Sequence, residues 1–236
     1  MAGTLYFIPV PLAEGTTPQQ VLPADVVQRM HSLRHFIVEN EKTARQFLSA
    51  SGHPVPIREL TLAVLTKDTP SKDLPKLLQV VHQGADVGVM SEAGCPGIAD
   101  PGAALAAVAH QKGIRVAPLI GPSSLLLALM ASGLNGQRFT FLGYLPSEKA
   151  ERIKTIKGIE FDSRKQQATQ LFIETPYRNQ HVLEDLVANL QATTCLCVAC
   201  NITAQDELIV TKTVAEWKKS TLPDVHKKPT VFLLLA

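Results

Sequence analysis

The apolar positions of this chain fall into two textures. Between residues 4 and 119, short compact apolar runs alternate with longer stretches of helical spacing. Residues 4–10, 35–39, 85–90 and 114–119 read as strands, being short, apolar and rich in β-branched or aromatic side chains. Residues 18–33, 41–51, 71–83 and 103–112 read as helices. Pro23 is expected to split the first, since proline lacks an N–H and clashes with the preceding turn. Ser71 is expected to cap the third, and Gly52, Gly84 and Gly113 to stop the last three. Residues 57–65 are extended without a clear period. Strands that feed glycine-rich turns and then helices predict a parallel sheet covered on both faces.

The texture changes after Gly121-Pro122-Ser123-Ser124, which opens a helix over 125–132. Strands follow at 139–144, 168–174, 195–202, 207–211 and 230–235, with helices at 148–164 and 177–190. The short turn near 204–206 predicts a hairpin, and with it a mixed sheet. The boundary is expected near 117–122, giving an N-terminal α/β domain over 1–119 and a C-terminal α/β domain over 120–236.

Composition narrows the function classes. The 236 residues are 45% hydrophobic and 19% charged, with a net charge of +2, which describes a globular chain with ample core. That charge is too mild for a dedicated nucleic-acid binder, yet compatible with a brief catalytic encounter with RNA. The amino terminus has no basic n-region, and no apolar run approaches the ~20 residues of a membrane span. A cytoplasmic protein with no membrane partner is expected. Cys195, Cys197 and Cys200 sit in one strand, with Cys95 apart, and no second ligand pair has zinc spacing. They are expected to be reduced thiols, with no metal site. The sequence G-x-G-x-x-G is absent after the first strand, and P-loop, G-x-S-x-G and H-E-x-x-H motifs are absent throughout.

The densest chemistry lies at residues 91–102, Ser91-Glu92-Ala93-Gly94-Cys95-Pro96-Gly97-Ile98-Ala99-Asp100-Pro101-Gly102. Three glycines, two prolines and two acids follow the strand at 85–90, more than a simple strand-to-helix connection needs. In open α/β sheets, ligands bind at the carboxyl ends of strands. Residues 9–15 and 121–124 end two other strands of the first half. Residues 173–178 are their counterpart in the second. If the first three meet, they form a cleft of backbone donors and small hydroxyls, suited to a flat polar ligand such as a nucleoside.

Five segments in this order resemble the tetrapyrrole-methylase family of S-adenosylmethionine-dependent methyltransferases, nearest its ribosomal RNA small-subunit methyltransferase I branch. That branch begins G-T-L-Y-[LF]-[VI]-P-x-P, matched by Gly3-Thr4-Leu5-Tyr6-Phe7-Ile8-Pro9-Val10-Pro11. Its S-D-A-G-x-P-x-I-x-D-P-G is matched at 91–102, with Glu92 in place of aspartate. Its P-G-P-S-[AS] is matched from Gly121 to Ser124 with Ile120 before it, and its R-F-x-F-x-G-[FY]-L-P from Arg138 to Pro146. Its Y-E-[ST]-P-[HY]-R is matched by Ile173-Glu174-Thr175-Pro176-Tyr177-Arg178, without the first tyrosine.

The resemblance implies a two-domain fold, mostly parallel in the N-terminal sheet and mixed in the C-terminal one, with the cofactor in a cleft between them. It also implies a homodimer. Carried over residue by residue, contacts to S-adenosyl-L-methionine fall on Pro11, Leu12, Gly94, Ile98, Ala99, Ser123, Ser124, Ile173 and Glu174. The branch acts on a ribose 2′-hydroxyl of ribosomal RNA, so RNA or a ribosomal subunit is the implied substrate. A hydroxyl acceptor calls for a base, and Glu39, Glu92, Glu174 and Glu207 are the candidates. Lys42, Arg178 and Glu207 are candidates for holding the substrate.

Two segments depart from the branch. Its A-E-D-T-R is Val38-Glu39-Asn40-Glu41-Lys42 here, and its L-T-K-x-F-E is Ile202-Thr203-Ala204-Gln205-Asp206-Glu207. Both departures fall where the acceptor is expected, while the donor motifs are retained. The expected function is therefore methyl transfer to RNA. The alternatives are methylation of a tetrapyrrole or other small molecule, and a non-catalytic protein that binds S-adenosylmethionine.

Overall fold

Alternation along three central strands fixes the first half. A computed structural model describes residues 2–236; Met1, the first residue of the expected N-terminal domain, lies outside them. The chain forms two compact units, one ending at Ser123 and the other spanning Ser124–Ala236. In chain order the first contains β1 (Thr4–Phe7), α1 (Pro18–Val21), α2 (Ala24–His31), β2 (His35–Val38), α3 (Glu41–Ala50), β3 (Thr61–Val64), α4 (Leu74–Leu77), α5 (Gln79–His82), β4 (Val87–Met90), α6 (Gly102–Gln111) and β5 (Arg115–Pro118). The strands form one sheet in the order β3-β2-β4-β1-β5, with every pairing parallel.

Successive side chains point to opposite faces, so each strand serves two cores. Tyr6, Ile8, Phe36, Val38 and Met90 pack against Val26, Val27 and Met30 of α2 and Ala44 and Leu48 of α3. Leu5, Phe7, Ile37, Val87 and Val89 pack against Leu74, Leu78 and Val81, and against Leu105 and Ala109 of α6. Gly88 in β4 is a close-approach position. A Cβ there would lie 2.7 Å from Ile8 Cδ1 and 2.8 Å from Phe36 Cδ1, so the central strand has room for hydrogen alone.

Pro23 does split the first helical stretch: Leu22 is extended and Pro23 stands at the N-cap of α2. The expected helix at 71–83 is corrected. Ser71–Asp73 winds as a 3-10 turn after Pro70, without a side-chain cap from Ser71, and the rest divides into α4 and α5. Pro75 lies in the first turn of α4 and has no N–H to continue a ladder back to the carbonyl of Ser71. The extended stretch at 57–65 resolves into a 3-10 turn, Ile57–Glu59, followed by β3 at the sheet edge.

The second unit contains α7 (Ser124–Ser132), β6 (Phe139–Tyr144), α8 (Lys149–Gln166), β7 (Thr169–Ile173), α9 (Asn179–Asn189), β8 (Cys195–Cys200), β9 (Leu208–Thr213), α10 (Val214–Trp217) and β10 (Thr230–Leu235). Its sheet runs β6-β7-β10-β8-β9. Only β6 and β7 pair in parallel, and β8 and β9 form the expected hairpin. Helix α10 was not expected, although Thr213-Val214-Ala215-Glu216 spells a capping box. Thr213 N donates to Glu216 Oε2 at 2.8 Å and Glu216 N to Thr213 Oγ1 at 3.3 Å.

One face of this sheet, with Phe172, Phe232, Leu196, Val198 and Cys200, packs on α8, α9 and Trp217. Cys195 and Cys197 lie on the other face, as alternation predicts, and all four cysteines are free thiols. The loop after β6 is anchored by Arg152 of α8. Its side chain pairs with Asp185 of α9 at 2.7 Å and donates from Nη1 to Ser147 O at 2.8 Å, with both side chains nearly fully buried. Removing one partner of such a pair strands a buried charge. Arg152→Met is expected to cost about 3 kcal/mol in urea unfolding. Arg152→Met with Asp185→Leu should recover most of that loss.

Candidate functional site

The chain leaves β1 toward β2 and leaves β4 toward β5, yet β4 and β1 are neighbours. Their outgoing connections therefore depart in opposite directions, and the crevice at their carboxyl ends is the topological switch point of the sheet. Two of the glycine- and proline-rich loops emerge there. They are joined by a reciprocal pair of backbone hydrogen bonds: Val10 N donates to Gly94 O at 2.9 Å, and Gly94 N to Val10 O at 3.1 Å. Gly94 adopts φ +69°, a left-handed conformation that an L side chain resists. A Cβ at this position would also stand 3.2 Å from Leu12 Cδ2 and 3.6 Å from Pro122 O.

The loop after β5 joins the same cluster. Leu119 N donates to Phe7 O at 2.9 Å, and Cys95 Sγ donates to Pro122 O at 3.3 Å. Burial, with Asp100 nearby, raises the Cys95 thiol and keeps it a neutral donor. Three of the four expected loops therefore meet within the first unit. They bring Pro11, Leu12, Gly94 and Ser123 into one neighbourhood.

The turn at 97–102 has an organiser that sequence reasoning did not single out. Asp100 Oδ1 accepts from Gly97 N at 2.8 Å and from Gly102 N at 2.7 Å. Burial raises its carboxyl above the usual range, against the lowering effect of those two N–H groups. The Asp-Pro-Gly sequence, a turn-forming combination, was the available signal. Around this carboxylate, Ala99 is held at φ +62° and Ile98 stays 49% exposed. A half-exposed isoleucine beside a left-handed alanine is a local cost that packing within the unit does not explain.

Glu39 and Glu92 come together beside this turn. Glu92 N donates to Glu39 Oε2 at 3.2 Å. Burial raises Glu39 above the ordinary glutamate range; the Glu92 N–H opposes that rise, and the charges of Asp100 and Glu92 add to it. Lys42 is exposed on the first turn of α3, where its N–H and that of Thr43 are capped by Asn40 Oδ1.

The remaining expected site residues belong to the second unit. Ser124 opens α7 and Ile173 ends β7. The Glu174 side chain is fully buried, and its Oε1 accepts from Thr175 N at 2.6 Å and Arg178 Nη2 at 2.5 Å. Its Oε2 has no hydrogen-bond partner among the described residues. Glu207 accepts from Thr203 N at 2.6 Å and so braces the β8–β9 turn, where Thr203 sits at φ +72°.

Residues 24–218 match the model of the Tetrapyrrole (Corrin/Porphyrin) Methylases. The chain is 31% identical over 235 residues to the ribosomal RNA small subunit methyltransferase I of Escherichia coli O157:H7, covering 99% of this chain and 77% of that protein. It is 30% identical over 197 residues to the protein of the same name from Xylella fastidiosa (strain Temecula1), covering 84% and 69%. Among solved structures, the methyltransferase CobJ superposes with a TM-score of 0.65 at 18% identity, over 99% of this chain and 94% of that one, a likeness of fold. The parallel five-stranded sheet, the mixed sheet and a family match over most of its length all agree: this chain belongs to the tetrapyrrole methylases and is an S-adenosylmethionine-dependent methyltransferase.

Proposed function

We propose that this methyltransferase methylates a ribose 2′-hydroxyl of small-subunit ribosomal RNA. The observation that carries the acceptor is the similarity, over 99% of the chain, to a protein named for that RNA. The donor reading rests on the geometry of the three loops. A crevice edged by backbone at Gly94, a half-exposed Ile98 and a strained Ala99 suits a nucleoside, whose ring can lie on the isoleucine while backbone groups serve its polar edge. The buried Glu174 Oε2, without a partner among the described residues, suits a ligand hydroxyl or ammonium group. Pro11, Leu12, Gly94, Ile98, Ala99, Ser123, Ser124, Ile173 and Glu174 would hold S-adenosylmethionine. When bound, that cofactor supplies a methyl group on a sulfonium, ready for direct transfer.

The work left to the protein is alignment, exclusion of water and acceptance of one proton. Of the candidate bases, Glu39 fits best. Its raised carboxyl is more basic than an ordinary glutamate, and Oε1 is left to take the hydroxyl proton while Oε2 accepts from Glu92 N. Glu174 is paired with Arg178 and its second oxygen is assigned to the donor, Glu207 braces the β8–β9 turn by accepting from Thr203 N, and Glu92 lies on the exposed side of the loop. Lys42, exposed at the head of α3, is free to approach an anionic acceptor.

The homodimer rests on a further observation. Leu126 and Met130 of α7 are 53% and 79% exposed, and Phe139 and Tyr144 of edge strand β6 are exposed as well, large apolar side chains that a second copy would cover. Met130→Asp is expected to sediment as a monomer where the parent chain sediments as a dimer.

Two experiments test the donor and the base. Titration calorimetry with S-adenosylmethionine should give micromolar binding, and Gly94→Val or Ser123→Trp should weaken it by about a hundredfold, with cooperative melting retained. Tritiated methyl should then enter small-subunit ribosomal RNA; label in a tetrapyrrole instead would redirect the acceptor. Glu39→Gln should abolish turnover while keeping donor affinity, and should erase an acidic limb above the ordinary glutamate range. The folded state holds the Glu39 proton more tightly than the unfolded chain does. Its contribution thus favours folding at low pH and is lost as pH rises through the raised value. Glu39→Gln should therefore melt higher than the parent at pH 7, and this advantage should vanish by pH 4.

A further inference from the structure

The loop that carries Glu174 has an outer side to which no role has been given. Tyr177 is 68% exposed, and Lys227 Nζ lies 5.8 Å from the centroid of its ring. These residues are 50 positions apart in sequence, so their meeting is a product of the fold. Three hydrogen bonds bind the two segments. Lys227 N donates to Pro176 O at 2.9 Å, Asn179 Nδ2 to Lys228 O at 2.6 Å, and Val225 N to Gln180 Oε1 at 3.1 Å. Asn179 and Val225 are fully buried beneath, so the outer residues stand on a firm base. Lys227 is moreover held at φ +59°, where a lysine gains nothing from its own backbone.

The result is a ledge at the carboxyl end of β7, in the same loop as Ile173 and Glu174. It presents one aromatic face, the ammonium of Lys227 and the exposed imidazole of His226. Lys228 faces Asp224 at 3.9 Å and Arg178 is spent on Glu174, so among the described residues of this ledge Lys227 is the cation left for a partner. An exposed ring beside one cation is poorly explained by stability, because an exposed cation–π pair contributes less than burying the ring would. It matches what single-stranded nucleic acid needs, a face on which a base can stack and a charge for the adjoining phosphate.

We propose that Tyr177 and Lys227 form a stacking ledge for an unpaired nucleotide of the RNA acceptor. Tyr177 takes the base and Lys227 the neighbouring phosphate, which would hold the acceptor strand at the loop that bears Glu174. This inference rests on the RNA reading above and assigns it a contact surface. The Lys227 ammonium, drawn from the ring to a phosphate, leaves the aromatic face for the base.

The test uses the full-length protein loaded with S-adenosylhomocysteine, and single-stranded fragments of small-subunit ribosomal RNA. Tyr177→Ala should weaken RNA binding about tenfold and raise KM for RNA in methyl transfer by a similar factor, from the loss of one stacked base. Tyr177→Phe should restore both, because the ring and not the hydroxyl does the stacking. Lys227→Gln should flatten the slope of log affinity against log salt by about 0.7, the signature of one phosphate contact on a single strand. Donor affinity and melting temperature should not change in any of the three. Parent-like RNA affinity, KM and salt slope in Tyr177→Ala and Lys227→Gln would overturn the ledge while leaving the RNA reading standing. A parent protein that neither binds nor methylates ribosomal RNA would overturn both.

Discussion

The reciprocal hydrogen bonds between Val10 and Gly94 are the constraint on which the first unit's crevice depends. Parallel strands β1 and β4 end side by side, and their chains would otherwise part in opposite directions with unpaired backbone at the gap. Two N–H···O bonds tie the loops across that gap and satisfy both residues' donors and acceptors. The tie demands a residue at φ +69° with no Cβ to crowd Leu12, which is why glycine stands at position 94. Once the loops are tied, Pro122 falls against Gly94 and Cys95, and the third loop is placed as well.

That closure is costly in places. Glu39, Glu92 and Asp100 are drawn close together, and burial leaves Glu39 and Asp100 less willing to ionise. Ala99 is held in a left-handed conformation with Ile98 half out in solvent. Local rules are broken here together, and they are broken at the carboxyl ends of the central strands. Elsewhere in the unit, apart from the break at Pro75, strand alternation and helix stops agree with one another. Strain gathered at one place in an otherwise consistent sequence marks function more reliably than any single outlier.

The second unit manages charge differently. Arg152 and Asp185 are buried as a pair, with Arg152 also serving the carbonyls of the loop after β6. Glu174 and Arg178 form a second pair, but only one carboxylate oxygen is served, and the other has no partner among the described residues. The first arrangement is complete and structural. The second is incomplete, and an incomplete buried network is most readily explained by a ligand that finishes it. The same pair withdraws Arg178 from the outer surface and leaves Lys227 as the available cation beside Tyr177.

The sequence alone determined most of the element order, the parallel first sheet, the hairpin of the second and the family, because those rest on local periodicity, turn chemistry and ordered motifs. It placed Gly94, Ile98 and Ala99 on one loop, since the glycines, prolines and acids of 91–102 are adjacent in the chain. It misjudged the helix at 71–83, where Pro75 overrode the capping signal of Ser71, and it passed over α10. Only the tertiary structure decided that Val10 pairs with Gly94, that Glu92 N reaches Glu39, and that Lys227 stands over Tyr177. Each of these joins residues that are 50 or more positions apart, through strand order and loop path. No local pattern encodes that order, because periodicity tells each segment which face to bury and leaves unstated which neighbour it will meet.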